Sequence, residues 1–226
     1  MAKKKNEPVR TTLEEVNESL STAAQRLESN KKYIYWALYA VAAIVVLIAA
    51  YVYLYRNPNL EKARDMIGKA DVELLQGDTE AALADYQKVA NAYSNKPAER
   101  APLNAAILLF DQKKYKEAAQ YLEKYDPDGN LVGPASQSLL GDCYVNMDQL
   151  DKALAAFDKA IELAKDNDYY KPTFMVKKAT VLHAQKKYDQ ELKIYEDIRD
   201  NYYEWTQIYR FSPEKYIERA KAAAGK

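Results

Sequence analysis

The sequence predicts an all-helical protein, in which one membrane-spanning helix precedes a stack of helical hairpins (an α-solenoid) that ends in a capping helix. Three observations predict this fold class. The 226 residues combine 48% apolar with 29% charged residues and are rich in good helix formers. One segment lacks charged residues over a length that crosses a bilayer. The rest of the chain repeats one pattern at a regular interval, as stacked helical repeats do.

The composition also excludes several kinds of function. The 33 Lys and Arg residues balance 33 Asp and Glu residues, so no basic excess favours nucleic acid. One His and one Cys can form neither an internal disulfide nor a zinc site. Gly129 and Gly133 are the closest glycine pair and are not followed by Lys and Ser or Thr, so no phosphate-binding loop is predicted. We therefore expect no nucleic-acid partner, no metal and no cofactor.

The first element is a short cytoplasmic tail, residues 1–33. Thr12 and Glu15 form a capping-box pattern. Apolar residues from Leu13 to Leu27 then recur at spacings of three and four, which predicts an amphipathic helix of about 17 residues. Two interpretations stay open: a helix that packs on a partner or on the membrane surface, and a tail that forms a helix only transiently.

The second element, residues 34–55, predicts a transmembrane helix. Its 22 residues include no Asp, Glu, Lys or Arg, and a helix of that length is about 33 Å long. Tyr and Trp residues are concentrated at both ends, as in an aromatic belt. The apolar run is longer than a signal peptide requires, so we expect it to stay in the protein as an anchor.

The charges beside this segment predict its orientation. The tail holds seven Lys and Arg residues against five Glu residues, which favours a cytoplasmic N-terminus under the positive-inside rule. Residues 57–226 would then lie outside the bacterial inner membrane, in the periplasm of a Gram-negative cell.

The third element, residues 57–226, contains four copies of one pattern, at about 62–97, 98–130, 131–168 and 170–205. Each copy has a small residue in a first helix, then a turn, then a small residue and an aromatic or Leu in a second helix. In the fourth copy, Glu191 stands where a small residue is expected. The predicted turn positions are 36, 35 and 38 residues apart: Gly77, Lys113, Asp148 and Lys186.

This spacing and these residues resemble the tetratricopeptide repeat (TPR) family, whose period is about 34 residues. The third copy carries the resemblance most clearly, with Gly141, Tyr144, Ala153, Phe157 and Ala160. The resemblance implies a TPR-like α-solenoid of four hairpins. A capping helix at 213–223, with Ser212 as its N-cap and Pro213 in its first turn, would cover the open end of the stack.

The TPR resemblance also implies a concave groove, lined by the first helix of each hairpin, that binds protein segments. The corresponding candidate residues are Leu103, Ile107, Phe110, Ser138, Asp142, Val145, Asn146, Val176, Thr180 and His183. They are mostly apolar or neutral, so an extended, partly apolar segment is the expected ligand. The alternative is that several of these side chains only pack between hairpins.

The remaining distinctive residues predict packing and not catalysis. The sequence contains no nucleophile motif that could act with His183. Cys143 is expected to be a small thiol packed in the core. We therefore expect a protein that is not an enzyme. Seven aromatic residues near the C-terminus are expected to pack inside the last hairpin, and the alternative is that some of them are exposed at an interface. They are Tyr195, Tyr202, Tyr203, Trp205, Tyr209, Phe211 and Tyr216.

The order of tail, span and TPR stack resembles the YfgM-type ancillary subunits of the bacterial Sec translocon. That resemblance implies a membrane-tethered adaptor that meets translocon subunits, a periplasmic chaperone or exported client chains. Two alternatives stay open: a structural scaffold of another envelope complex, and a cytoplasm-facing TPR adaptor if the topology is reversed.

Overall fold

The computed structural model describes residues 12–125 and 132–225, and every regular element in these ranges is helical. The chain divides into two units, residues 1–59 and 60–226, and each is described by itself. The prediction of an all-helical protein with a solenoid of four hairpins and a final helix is confirmed.

The first unit contains two helices, α1 (Thr12–Ser29) and α2 (Lys31–Tyr51), followed by one π-helical turn at Val52–Arg56. The predicted tail helix is therefore present, although the Thr12–Glu15 capping box involves side chains outside the described ones. None of the residues of α2 is buried. Since apolar side chains without a protein cover are costly in water, this exposure fits the predicted span at 34–55.

The second unit contains four helical hairpins. They are formed by α3 (Asn57–Leu75) with α4 (Thr79–Ala92), α5 (Ala101–Asp111) with α6 (Tyr115–Lys124), α7 (Val132–Asn146) with α8 (Leu150–Leu163), and α9 (Lys171–Ala184) with α10 (Tyr188–Asn201). The second helix of each hairpin packs on the first helix of the next one, which is the arrangement of a solenoid.

The turn inside each hairpin has the same backbone conformation. The four predicted turn positions all have a positive φ, between 58° and 85°: Gly77, Lys113, Asp148 and Lys186. The N–H of the next residue donates to the carbonyl five residues back, as from Lys114 to Leu109 at 2.8 Å. This bond is characteristic of the Schellman motif, which ends a helix with a left-handed residue.

Small residues allow the two helices of a hairpin to approach closely. The clearest case is Gly141 in α7, where an added Cβ would lie 2.5 Å from Cε1 of Phe157 in α8. Phe157 is 1% exposed and belongs to a continuous core that extends from α3 to α8 and includes Val181 of α9. The ring of Phe157 therefore occupies the space that a side chain at position 141 would need.

A second core forms around the C-terminal elements, α11 (Tyr203–Ile208) and α12 (Pro213–Ala224). Helix α12 packs on α10 and buries Ile217 and Ala220, so it covers the last hairpin as a terminal cap should. Ser212 occupies the N-cap position of α12, but its hydroxyl contacts the carboxylate of Glu214 at 3.2 Å and caps no backbone N–H. The Ser212 hydroxyl therefore does not cap the helix as predicted.

Candidate protein-binding surface

The first helices of the hairpins present an exposed subset of the predicted groove residues. Ile107 of α5 is 41% exposed and Val145 of α7 is 38% exposed. Asn146 and Thr180 are also exposed, and each side chain bonds a backbone carbonyl one helical turn earlier in its own helix. These four residues, which we call the groove surface, expose two apolar and two polar side chains to solvent.

Other predicted groove residues contribute more to packing. Leu103 and Phe110 are half-buried and pack against the main core, while Val176 packs against the C-terminal core. The Phe110 ring meets Tyr115 edge-on, with 5.2 Å between the ring centroids. For these three side chains the structure favours packing between helices, the alternative that the sequence left open.

Ser138 and Asp142 are brought together by Lys177, a residue that sequence reasoning missed. The Lys177 ammonium group lies 3.0 Å from Oγ of Ser138 and 2.5 Å from Oδ2 of Asp142. Burial raises the pKa of Asp142, and the ion pair with Lys177 opposes this shift. Ser138 is 3% exposed, so this cluster ties α7 to α9 and leaves Ser138 inaccessible to a ligand.

A comparable polar contact joins the first helices at the other end of the stack. Asp71 of α3 accepts hydrogen bonds from the guanidinium of Arg100, just before α5, and from the Tyr86 hydroxyl of α4. The Arg100 hydrogen bond holds the pKa of Asp71 below its usual range. Burial and the Asp71 carboxylate raise the pKa of Tyr86 to about 12. The ion pair thus connects the first hairpin to the residue before α5, and the Tyr86 hydrogen bond connects the two helices of the first hairpin.

The last predicted groove residue, His183, is held by a buried carboxylate. Its Nδ1 lies 2.7 Å from Oε2 of Glu191, and the second Glu191 oxygen accepts from Arg219 of α12 at 2.5 Å. Glu191 is completely buried. The carboxylate that replaces the expected small residue therefore links α9, α10 and the capping helix.

Two observations concern the metal-binding side chains and the thiol of the described residues. Within residues 12–125 and 132–225, no three His, Cys, Asp or Glu side chains are placed to hold a metal ion. Burial, with a further contribution from Asp142, raises the pKa of the Cys143 thiol to about 12. A thiol of that pKa is not an effective nucleophile at neutral pH. The exposed apolar and polar side chains of the first helices can contact another chain.

The family of the chain follows from its sequence. The profile of a family described as a tetratricopeptide repeat-like domain matches residues 62–178, which is more than half of the chain. The chain therefore belongs to the TPR-like proteins. No curated protein sequence is significantly similar to it.

Several solved structures share the fold at low sequence identity. The crystal structure of MamA is 20% identical, with a TM-score of 0.51 over 69% of this chain and 94% of that chain. YrrB, described as a TPR protein with an unusual peptide-binding site, is 18% identical, with a TM-score of 0.51 over 74% and 88%. The TPR-like repeats of a Podosopora anserina kinesin light chain are 14% identical, with a TM-score of 0.55 over 74% and 88%. These identities support the fold alone.

The apolar segment has the properties of a membrane span. Among the residues that the structure describes, one helical stretch, Lys31–Leu75, is long and apolar enough to cross a membrane, by length and composition. None of its most apolar window is buried.

Proposed function

We propose that this chain is a membrane-anchored TPR adaptor of the bacterial inner membrane, with its tail in the cytoplasm and its hairpin stack in the periplasm. Its partners are translocon subunits, a periplasmic chaperone or exported client chains. The observation that carries this proposal is the groove surface, which consists of Ile107, Val145, Asn146 and Thr180. In the sequence, an apolar helix with no buried residues in its most apolar part comes before the hairpins that carry this surface. TPR proteins generally bind other proteins, and the similarly folded YrrB has a peptide-binding site.

The mechanism is capture of an exposed segment by a tethered surface. Ile107 and Val145 provide apolar contacts, while the Asn146 amide provides hydrogen-bonding groups for a peptide main chain. Such a small contact area gives modest affinity. Anchoring through residues 34–55 offsets this weakness, because confinement beside another membrane complex raises the effective concentration of the surface.

Site-specific photocrosslinking in living cells tests this function. A photoreactive phenylalanine analogue replaces Val145 in the full membrane-bound chain, and a matched variant carries it at Lys159, which is exposed on α8 of the same hairpin. We expect Val145 adducts with a translocon subunit, a periplasmic chaperone or newly exported chains, and few from Lys159. A single stoichiometric envelope partner from both positions would instead indicate a scaffold. Adducts with cytoplasmic proteins alone would indicate the reversed topology.

A further inference from the structure

The apolar interior of the stack is divided where the third hairpin meets the fourth. Helix α8 packs on α9 at this place. Every helix from α3 to α8 contributes to the main core, but among the described residues α9 contributes only Val181 to it. Other buried residues of α9, such as Met175, belong to the C-terminal core, and Phe174 packs on Ala160 and Ala164 in a small separate cluster. We call the contact between the third and fourth hairpins the third junction.

Ion pairs with a consistent direction cross the third junction. In the part of the chain that the structure describes there are three, and each joins a lysine of the fourth hairpin to an aspartate of the third. Their nitrogen–oxygen distances are 2.5, 2.5 and 3.9 Å, in the order Lys177–Asp142, Lys178–Asp158 and Lys187–Asp151. Because one side supplies all the cations and the other all the anions, any change in the spacing of the two hairpins weakens the three pairs together.

Gln185 leaves a buried polar atom unpaired at the third junction. Its side-chain N–H group donates to Asp151 at 2.9 Å. Its side-chain oxygen is buried and accepts no hydrogen bond from any described residue. A buried acceptor without a donor is unfavourable, and opening the junction would expose this oxygen to water. The closed junction is therefore less stable than a fully hydrogen-bonded one would be.

The first two junctions of the stack depend less on charge. The first includes the ion pair of Asp71 with Arg100, and the second includes the hydrogen bond from the Tyr144 hydroxyl to Glu123. The main core continues across both of these junctions. Salt screens exposed charges, whereas it does not weaken apolar burial in this way. The third junction should therefore respond to salt more strongly than the other two.

The part of the chain after the third junction is held together internally. The buried Glu191 carboxylate bonds His183 of α9 and Arg219 of α12. The ring of Tyr195 in α10 stacks on that of Tyr216 in α12, with 5.0 Å between the ring centroids. Helices α9–α12 thus share one core and one polar network, so they can move as one body.

We propose that the third junction is a salt-sensitive hinge, about which α9–α12 move as one body relative to the first three hairpins. Polar interfaces between units of one chain generally permit relative motion. The groove surface crosses this hinge, because Ile107, Val145 and Asn146 lie before it and Thr180 lies after it. Opening of the hinge therefore changes the distance between Val145 and Thr180, and with it the shape of the surface that a partner meets. The hinge itself does not require the proposed function.

Distances between spin labels, measured by pulsed electron paramagnetic resonance on the full chain in detergent micelles, test this hinge. The spanning pair carries labels at Glu117→Cys on α6 and Lys193→Cys on α10, two exposed positions on opposite sides of the third junction, in a chain with Cys143→Ala. Two control pairs each lie on one side of it: Glu80 with Glu117, and Lys193 with Ala222. Helical circular dichroism confirms that each labelled chain is folded.

We expect narrow distance distributions for all three pairs at about 10 mM salt, where the Debye length is about 30 Å. At about 1 M salt, where the Debye length is about 3 Å, the distribution of the spanning pair should become roughly twice as wide, and those of the control pairs should not change. Asp142→Asn, Asp151→Asn and Asp158→Asn together should widen the spanning distribution already at low salt. Since one exposed ion pair changes an equilibrium roughly 1.5- to 5-fold, the open population should rise roughly 3- to 100-fold in this triple variant.

Two matched variants separate charge from other effects. Asp158→Lys alone should widen the spanning distribution, and adding Lys178→Asp, which exchanges the charges of that pair, should make it narrow again. Asp85→Asn removes the ion pair with Lys69 inside the first hairpin and should leave the spanning distribution unchanged.

Three results would overturn the proposal. Equal widths of the spanning distribution at low and high salt in the wild type, whatever the triple variant does, would show that the third junction is not an ionic hinge. Equal widening of all three pairs would show that the whole stack loosens. A charge-exchanged variant as wide as Asp158→Lys alone would show that charge attraction does not close the junction.

Discussion

Replacing Gly141 by Ala tests directly whether small residues set the distance between the helices of a hairpin. Glycine to alanine inside a helix normally stabilises by about 1 kcal/mol. Here the new Cβ would lie 2.5, 2.8 and 2.8 Å from three ring atoms of Phe157, well inside the 3.5–4.0 Å optimum for carbon atoms. Phe157 is 1% exposed, so its ring cannot move into solvent. Overpacking of this kind costs about 1–3 kcal/mol, and a contact as short as 2.5 Å should lie in the upper half of that range, about 2–3 kcal/mol. Subtracting the gain of about 1 kcal/mol leaves a net destabilisation of about 1–2 kcal/mol.

The chain offers a matched control in Gly68, where an added Cβ in helix α3 meets nothing within 4 Å. Gly68→Ala should therefore be neutral or stabilising, by up to about 1 kcal/mol. Thermal unfolding of the full chain in detergent, followed by circular dichroism at 222 nm, compares the two variants. The Gly141→Ala midpoint should fall by roughly 2–8 °C.

A double variant separates overlap from other causes. Phe157→Leu alone should destabilise the protein by about 1–2 kcal/mol because it removes buried ring atoms. In combination with Gly141→Ala it should cost at least 1 kcal/mol less than the sum of the two single effects. Additive effects, or a stabilising Gly141→Ala, would refute the argument that the Phe157 ring occupies this space.

Three further predictions concern buried and ionised groups. Glu191→Ala should destabilise the protein by about 2–4 kcal/mol, because it removes two charge-assisted hydrogen bonds to a fully buried carboxylate. The loss is limited because His183 and Arg219 keep partial access to water. A loss of stability below about 0.5 kcal/mol in thermal unfolding would contradict this prediction. Burial raises the pKa of the Cys143 thiol to about 12. Cys143 should therefore react with a maleimide at neutral pH only after denaturant unfolds the stack. Rapid labelling of the folded chain would contradict the buried position of Cys143. The pKa of Asp71 is lowered by Arg100, so the contribution of Asp71 to stability should be fully present above about pH 5 and be lost as the pH falls below about 4. The difference in unfolding free energy between the wild type and Asp71→Asn should therefore shrink as the pH falls. A difference that grows as the pH falls would refute a lowered pKa for Asp71.

The sequence predicted the repeat architecture well because its signals are local and recur. Turn positions at Gly77, Lys113, Asp148 and Lys186 follow from the spacing of small and aromatic residues, and all four adopt a left-handed backbone. Three of them are not glycine, so residue type alone would have identified only Gly77. The repeat period identified the others, because each hairpin must turn at an equivalent place to stack on its neighbour.

The hydrogen bonds and ion pairs between helices could not be predicted in the same way. Lys177 follows Val176 in the chain and carries no pattern that points to Ser138 or Asp142, which lie more than 30 residues earlier. Such contacts depend on the rotation of each first helix relative to the next, which the period leaves undetermined. Glu191 did give a signal, as a charged residue at a small-residue position, but its partner Arg219 belongs to the capping helix, whose docking no repeat pattern fixes.

Some predicted groove residues are exposed and others are packed, again because the repeat period does not determine how each first helix is rotated. The projection of the TPR pattern placed Val145 and Ile107 on an exposed face, where the structure finds them. It also included Ser138, which lies under Lys177, and Phe110, which packs on Tyr115. A pattern of residue positions identifies a helix face, whereas the accessibility of a side chain depends on the neighbouring hairpin.

The most direct test of the central claim is protease accessibility of the full chain in a Gram-negative host. The proposed adaptor function requires residues 34–55 to cross the inner membrane with the hairpin stack outside. Protease added to spheroplasts should therefore digest residues 57–226 and leave a membrane-protected fragment that contains the N-terminal tail. A stack that stays intact in spheroplasts, and is digested only when the membrane is opened by detergent, would contradict the periplasmic orientation and the capture of exported chains.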